Sequence, residues 1–225
     1  MLQCIWLGST SKQFIVENGC KYSVWIDSAP SMDLILFEVP PDEILITNVD
    51  NNWYGSFFLR THCDTDSAGK FSCLTGNCDT GVESCDGASP HAPFTSLESF
   101  AITGNFSLSY GVDLQHGFNV PIMVYPEHGP ATCRPAGCAE DINRLCPVHL
   151  QVKAPGGVVI GCKSDCDASG DPKACCDGEY GGRDKCQPSV SASLFKRACP
   201  SAHTWKYDGW VSSCEGASFN IILCP

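Results

Sequence analysis

The sequence predicts a mainly β protein, an antiparallel β-sandwich (flattened barrel) core joined to a disulfide-rich second lobe of loops and short helices. Three observations lead there. Short runs rich in Val, Ile, Phe and Tyr recur at close spacing between turn signals, the pattern of a sandwich. Seventeen of 225 residues are cysteine, a density at the edge of disulfide scaffolds. Beyond about residue 126 the cysteines crowd between Cys133 and Cys199 amid Gly, Pro, Asp and Ser, a composition of bridged loops.

Taken from the N-terminus, residues 13–25 (QFIVENGCKYSVW) read as two short strands broken by the turn-prone Asn18-Gly19, a hairpin signal. Residues 34–37, 43–47 and 57–61 are further β-like runs, separated by Pro40-Pro41 and Asn51-Asn52. Residues 95–102 and 118–125 add two more. In the second lobe, 139–145 (AEDINRL) and 191–198 (SASLFKRA) are helix candidates, each ending at a Cys-Pro step that discourages continuation. Both are short, so packing and bridges must hold them. Residues 218–224 (SFNIILC) return to strand character, which brings the end of the chain back to the first sheet.

Composition excludes several classes. Fourteen Lys and Arg against 25 Asp and Glu leave −11, which repels a phosphate backbone, so neither nucleic acid nor an anionic membrane is expected as partner. No run approaches the eighteen apolar residues of a spanning helix. The sequence contains neither G-x-S-x-G nor H-E-x-x-H, and Asp141 with Asn143 fits no EF-hand loop. Structural zinc favours C-x2-C pairs, whereas the close pairs here are Cys133 with Cys138, Cys162 with Cys166, and the adjacent Cys175 and Cys176. His62, His91, His128, His149 and His203 show no ligand spacing. No metal and no cofactor is expected. Adjacent cysteines bond more readily to two different partners than to each other, because a bridge between sequence neighbours is strained.

Residues 1–12 read as an N-terminal extension or a truncated leader: Met1 to Gly8 lack a basic n-region, and the apolar stretch is at the short limit of an h-region. Cys4, the odd one of 17, belongs with that extension, or else is a free or intermolecular thiol.

Residues 69–85, GKFSCLTGNCDTGVESC, match G-x-[GF]-x-C-x-T-[GA]-D-C-x(1,2)-G-x(2,3)-C at every fixed position except Asn77, where the pattern has Asp. FIVENGCKYSVW, RTHC (60–63), GFNVP (117–121), CRPAGCAEDI (133–142), KAPGG (153–157), Cys175-Cys176, FKRACP (195–200) and the terminal LCP extend the match. On these motifs residues 13–225 resemble the thaumatin-like proteins, the thaumatin, osmotin and pathogenesis-related type. The resemblance implies a sandwich core at 13–126 with the strand near 218–225, a disulfide-rich lobe at about 127–215, and a cleft between them.

Sequence alone leaves the connectivity of the cysteines open. The resemblance implies eight bridges: Cys20 with Cys224, Cys63 with Cys73, Cys78 with Cys85, Cys133 with Cys214, Cys138 with Cys199, Cys146 with Cys162, Cys166 with Cys175, and Cys176 with Cys186. In chain-entropy terms the first closure stabilises by roughly 5 kcal/mol and the short Cys78 loop by about 2 to 3 kcal/mol.

In this family the cleft carries one Arg, one Glu and three Asp, linked to β-1,3-glucan binding and, in some members, to weak endo-glucanase activity. By position, the Arg falls on Ser56 and the Glu on Ser99, with Glu98 one place earlier. If 96–102 is a strand, that offset sends Glu98 to the opposite face unless a bulge intervenes. Asp113 matches the first aspartate before GFNVP, the second falls on His116, and Asp208 in WKYDGW matches the last. The candidate cleft carboxylates are therefore Asp113, Asp208 and Glu98, each with the alternative of a solvated surface group. Ser56, Ser99 and His116 are replacements. An imidazole among carboxylates has a raised pKa and serves as a pH-sensitive donor. Trp205, Tyr207 and Trp210 beside Asp208 offer a sugar-stacking surface, although strand alternation would part 205 and 207 from 210. Asn105 opens a glycosylation sequon with Ser107.

These readings predict a secreted, extracellular (apoplastic), monomeric defence protein that binds β-1,3-glucan or another cell-wall polysaccharide without catalysis. Two alternatives stand beside it: a weak endo-β-1,3-glucanase using Asp113 and Asp208, and a scaffold or protein-interaction role with the cleft function lost.

Overall fold

The computed structural model describes residues 11–30, 37–50, 53–101, 107–127, 129–209, 212–215 and 218–225. In chain order the strands are β1 (Ser11–Asn18), β2 (Val24–Ala29), β3 (Phe37–Val39), β4 (Ile44–Asp50), β5 (Gly55–Thr65), β6 (Phe71–Thr75) and β7 (Ser96–Ala101). They continue as β8 (Ser107–Asp113), β9 (Ile122–Glu127), β10 (Ala136–Cys138), β11 (Gln151–Lys153), β12 (Val159–Cys162), β13 (Ser212–Glu215) and β14 (Ser218–Leu223). One sheet has the order β10-β9-β14-β1-β4; the larger has the order β13-β8-β7-β5-β2-β3, with β6 also paired to β5.

Alternation decides what enters the core between the sheets. From the first sheet come Phe14, Val16, Ile122, Val124, Phe219 and Ile221; from the larger come Val24, Ile26, Phe57, Leu59, Leu97 and Val112. The Phe14 ring stacks on Phe219 at 5.3 Å and meets Phe57 edge-on at 5.6 Å. Each large apolar side chain buried here stabilises the fold by about 1.5–3 kcal/mol.

Several sequence expectations are corrected. Asn18-Gly19 makes no hairpin: β1 and β2 lie in different sheets, and the chain crosses between them there. Asn18 is fully buried and holds that corner, donating to the carbonyls of Tyr22 (3.0 Å) and Val39 (2.7 Å) while accepting from Cys20 N–H (2.9 Å). The sandwich is also not wholly antiparallel, because β1 runs parallel to β14, with the whole chain as their crossover. Of 139–145 only Ile142–Leu145 is helical, as a 3₁₀ turn capped by Asp141; Cys146, held in a bridge, and Pro147 end it. Residues 118–121 precede β9 and do not belong to it. The lobe boundaries interleave, since β10 and β13 pair into the sandwich sheets, and β1 begins before residue 13. The polar strands β6 and β8 escape pattern reading because their Ser, Thr and Gly dilute the hydrophobic period.

The structure joins eight cysteine pairs: 20–224, 63–73, 78–85, 133–214, 138–199, 146–162, 166–175 and 176–186. These are the pairs that the family resemblance implies. Asn77 keeps the acceptor role of the pattern's Asp, its Oδ1 taking Cys73 N–H at 3.0 Å.

The second lobe holds the β11–β12 hairpin and three short helices, α1 (Asp165–Ser169), α2 (Pro172–Cys175) and α3 (Val190–Ala198). Ser164, Asp171 and Ser189 cap their N-termini. Helices this short are marginal alone; the bridges 166–175 and 176–186 and the buried Phe195 hold them. On the outer face of the larger sheet, buried Arg60 lies 3.4 Å from Asp27 and donates to the Glu83 carbonyl, while Asp27 accepts Cys85 N–H at 2.8 Å. These contacts pin the 76–94 loop to the sheet and so position Phe94.

Candidate functional site

Three adjacent strands of the larger sheet set out a polar row. β5 pairs with β7 without a register break, Ser56 opposite Glu98 and Phe57 opposite Leu97. β7 pairs with β8, Ser96 opposite Asp113 and Leu97 opposite Val112. Because Phe57, Leu97 and Val112 face the core, Ser56, Ser96, Glu98 and Asp113 stand on the outer face. Ser56 Oγ donates to Glu98 Oε2 at 2.7 Å, and Ser96 Oγ donates to Oε1 at 3.0 Å.

The expected offset of Glu98 is thereby corrected. Glu98 shares a face with Ser56 and Asp113 and needs no bulge, while position 99 pairs with Gly55 and Tyr110, one step out of the row. The core residues Phe57 and Leu97 set which positions face outward, and motif matching along the chain carries no such anchor.

Asp113 closes β8. Gln115 donates twice to it, N–H to Oδ1 at 2.6 Å and Nε2 to Oδ2 at 2.8 Å. Burial nevertheless pushes its pKa up to about 6, with the nearby Glu98 charge adding to the rise and the Gln115 bonds opposing it. Beyond the turn, His116 stacks on Phe94 with centroids 5.0 Å apart and planes 16° apart. Gly117 makes this turn possible: at φ +89° a Cβ there would fall 2.4 Å from the Cys162 carbonyl.

Across from His116 stands Asp167 of α1, its Oδ1 3.5 Å from the imidazole Nδ1. The Ser164 hydroxyl donates to Asp167 Oδ2 at 2.7 Å and accepts Asp167 N–H at 3.1 Å. The Asp167 bond raises the His116 pKa against partial burial, and the charges of Asp167, Asp113 and Glu98 add to it. Burial raises the Asp167 pKa, but the bonds from His116 and Ser164 outweigh it and leave the pKa lowered. A cleft of about 250 Å³ opens beside this contact, lined by Gln115, His116, Ser164, Asp177, Trp205 and Lys206 among others.

Asp208 lies outside the polar row. Its Oδ2 accepts Thr204 N–H (3.1 Å) and Oγ1–H (3.2 Å) and sits 3.0 Å from Lys196 Nζ, with only 11% of the side chain exposed. It fastens the 204–208 turn to α3. That segment is a turn, so strand alternation does not apply to it; Trp205 reaches the cleft and meets Tyr207 edge-on at 5.9 Å. Cys4, Asn105, His128 and Trp210 lie outside the described residues.

Sequence reasoning missed Ser96, Gln115, Asp167 and Lys206. The Ser164-x-x-Asp167 spacing is a helix-start signal, and nothing in it points toward His116. Among the described residues no group of three His, Cys, Asp or Glu is placed to hold a metal ion.

A model of the thaumatin family matches residues 18–225. Thaumatin-like protein 1 of Pyrus pyrifolia is 37% identical over 226 residues, spanning 97% of this chain and 93% of its own. A protein of Prunus avium named glucan endo-1,3-beta-glucosidase is 32% identical, spanning 97% and 92%. The solved thaumatin-like xylanase inhibitor TLXI is 21% identical with a TM-score of 0.49, over 94% of this chain and 99% of that one. Since the family match runs through both sheets, all eight bridges and the cleft, the chain belongs to the thaumatin family.

Proposed function

We propose that this protein is an extracellular defence protein that binds β-1,3-glucan of fungal walls at the cleft between the larger sheet and the disulfide-rich lobe. The observation that carries this reading is the row of Ser56, Glu98 and Asp113 leading to His116, with Asp167 facing it. Sugar hydroxyls donate well to carboxylates, and each carboxylate oxygen has lone pairs left after one internal bond. Trp205 at the cleft supplies an apolar face for a pyranose ring. Eight disulfides fit an oxidising, extracellular compartment.

The test is co-sedimentation of the oxidised protein with insoluble β-1,3-glucan, against cellulose and chitin. Glu98→Gln and Asp113→Asn are each expected to weaken binding about tenfold, the loss of one charged hydrogen bond. A folded protein with eight bridges that sediments with none of the three would overturn the reading in favour of a protein-interaction role.

One observation favours a second reading, weak endo-β-1,3-glucanase activity: Asp113, held near pKa 6, neighbours Glu98. A protonated Asp113 gives its proton to the departing glycosidic oxygen, and the Glu98 carboxylate acts as nucleophile or draws a proton from the attacking water. Asp208, already paired with Lys196, has no part in this chemistry. Release of reducing ends that Asp113→Asn abolishes would put this reading first.

A further inference from the structure

A second concavity, about 540 Å³ and larger than the cleft, lies beside the Cys20–Cys224 bridge. Tyr22, His62, Glu140, Asp141 and Arg144 border it, with the apolar stretch 158–160 among its lining. We propose that this groove is a second carbohydrate site that takes a short neutral β-linked oligosaccharide. The inference does not depend on the cleft binding glucan.

Rigidity is the first argument. Cys224 lines the groove and is tied to Cys20; Ala139 follows Cys138, which is tied to Cys199; Ile160 precedes Cys162, which is tied to Cys146. Walls fixed by three bridges lose little freedom when a ligand enters. The volume lies in the range of small-ligand sites.

The aromatic pair is the second. The Tyr22 and His62 rings stand 5.3 Å apart at 35°, giving a surface against which the C–H face of a pyranose packs. His62 holds a left-handed backbone, φ +54°, although its side chain is exposed, and its Nδ1 lies 3.0 Å from Thr61 Oγ1. A non-glycine residue keeps that conformation only where its surroundings over-determine it, and such residues gather at functional sites.

Hydroxyl recognition is the third. Arg144 Nε lies 3.2 Å from Asp141 Oδ2, so a guanidinium and a carboxylate stand side by side at the rim, with Glu140 beside them. The remaining guanidinium N–H groups donate to, and the carboxylate oxygens accept from, sugar hydroxyls. Burial and the Asp141 charge push the Tyr22 phenol up to about 12, so it stays a protonated donor at any physiological pH. Two carboxylates against one guanidinium, on a chain of charge −11, select against anionic ligands.

The experiment is a backbone-amide NMR titration of the disulfide-bonded protein with the β-1,3-linked glucose tetramer, xylotetraose and chitotetraose, with an oligolysine peptide as the competing class. At least one saccharide is expected to shift the amides of 22, 62, 139–144 and 158–160 saturably. His62→Gly, which tolerates the same φ, and Arg144→Ala are each expected to weaken that binding about tenfold. Both side chains are exposed, so both variants should fold with the wild-type disulfides; Asp113→Asn should leave these shifts unchanged. Shifts confined to residues 111–116 and 164–167, shifts insensitive to both groove variants, saturation by oligolysine alone, or no saturation into the millimolar range would each overturn the proposal.

Discussion

Ser56 and Glu98, 42 residues apart, face each other across the β5–β7 ladder, and the serine hydroxyl donates to the carboxylate at 2.7 Å. This bond and the one from Ser96 orient the carboxylate on the outer face of the sheet. Ser56→Ala is expected to cost at most about 1 kcal/mol of stability. Its larger effect should be a several-fold loss of β-1,3-glucan binding as Glu98 loses its fixed geometry. Thermal melts and co-sedimentation on the same preparation separate the two effects; unchanged binding would show that Glu98 orientation is immaterial.

Asp113 makes stability depend on pH in an unusual direction for a carboxylate. Its pKa is raised from 3.8 to about 6, so between those values the folded protein keeps a proton that the unfolded chain has released. The contribution is fully present below about 3.8 and is lost as pH rises through about 6, a difference of roughly 3 kcal/mol. Asp113→Asn stays neutral throughout. Urea unfolding should show the variant gaining on the wild type as pH rises from about 4 to about 7, and parallel profiles would contradict this.

The contact between His116 and Asp167 has the opposite dependence at its two ends. The raised His116 pKa gives stability that is present below 6.5 and lost as pH rises through the folded value. The lowered Asp167 pKa gives stability that is present above 3.8 and lost as pH falls through its own folded value. The pair therefore couples the sheet to α1 in the window between. With the imidazole side chain 56% exposed, solvent screening holds the coupling to under about 1 kcal/mol. Asp167→Asn should lower the His116 titration midpoint followed by imidazole NMR; an unmoved midpoint would remove the contact from the account.

Asp208 should behave as a structural residue. Asp208→Ala leaves Lys196 and Thr204 without their shared acceptor and is expected to destabilise by about 1.5–3 kcal/mol. Glucan binding by the folded fraction should match the wild type. A selective loss of binding with an unchanged melt would return Asp208 to the site.

Much of the architecture was legible in the chain, and the reasons are local. Strand character at 44–47 and 218–223 follows from side chains that suit a pleated surface, and the end of α3 follows from the Cys199-Pro200 step. The site was only partly legible. Asp113 and His116 sit beside a recognisable GFNVP motif, whereas Glu98 and Asp208 carried little local information about which way they face.

By itself, the sequence determined the β-rich class, the acidic surface and the signature that places the chain in its family, because residue type, spacing and total charge survive without coordinates. Tertiary structure alone decided that Glu98 joins Ser56, that Asp208 turns to Lys196, that Asn18 forms a corner between sheets, and that His116 meets Asp167. The physical reason is the range of the forces. Propensity and alternation act within a few residues, but strand register and the meeting of the two lobes are set by burial of Phe57, Leu97 and Val112 and by bridges closing over long stretches of chain.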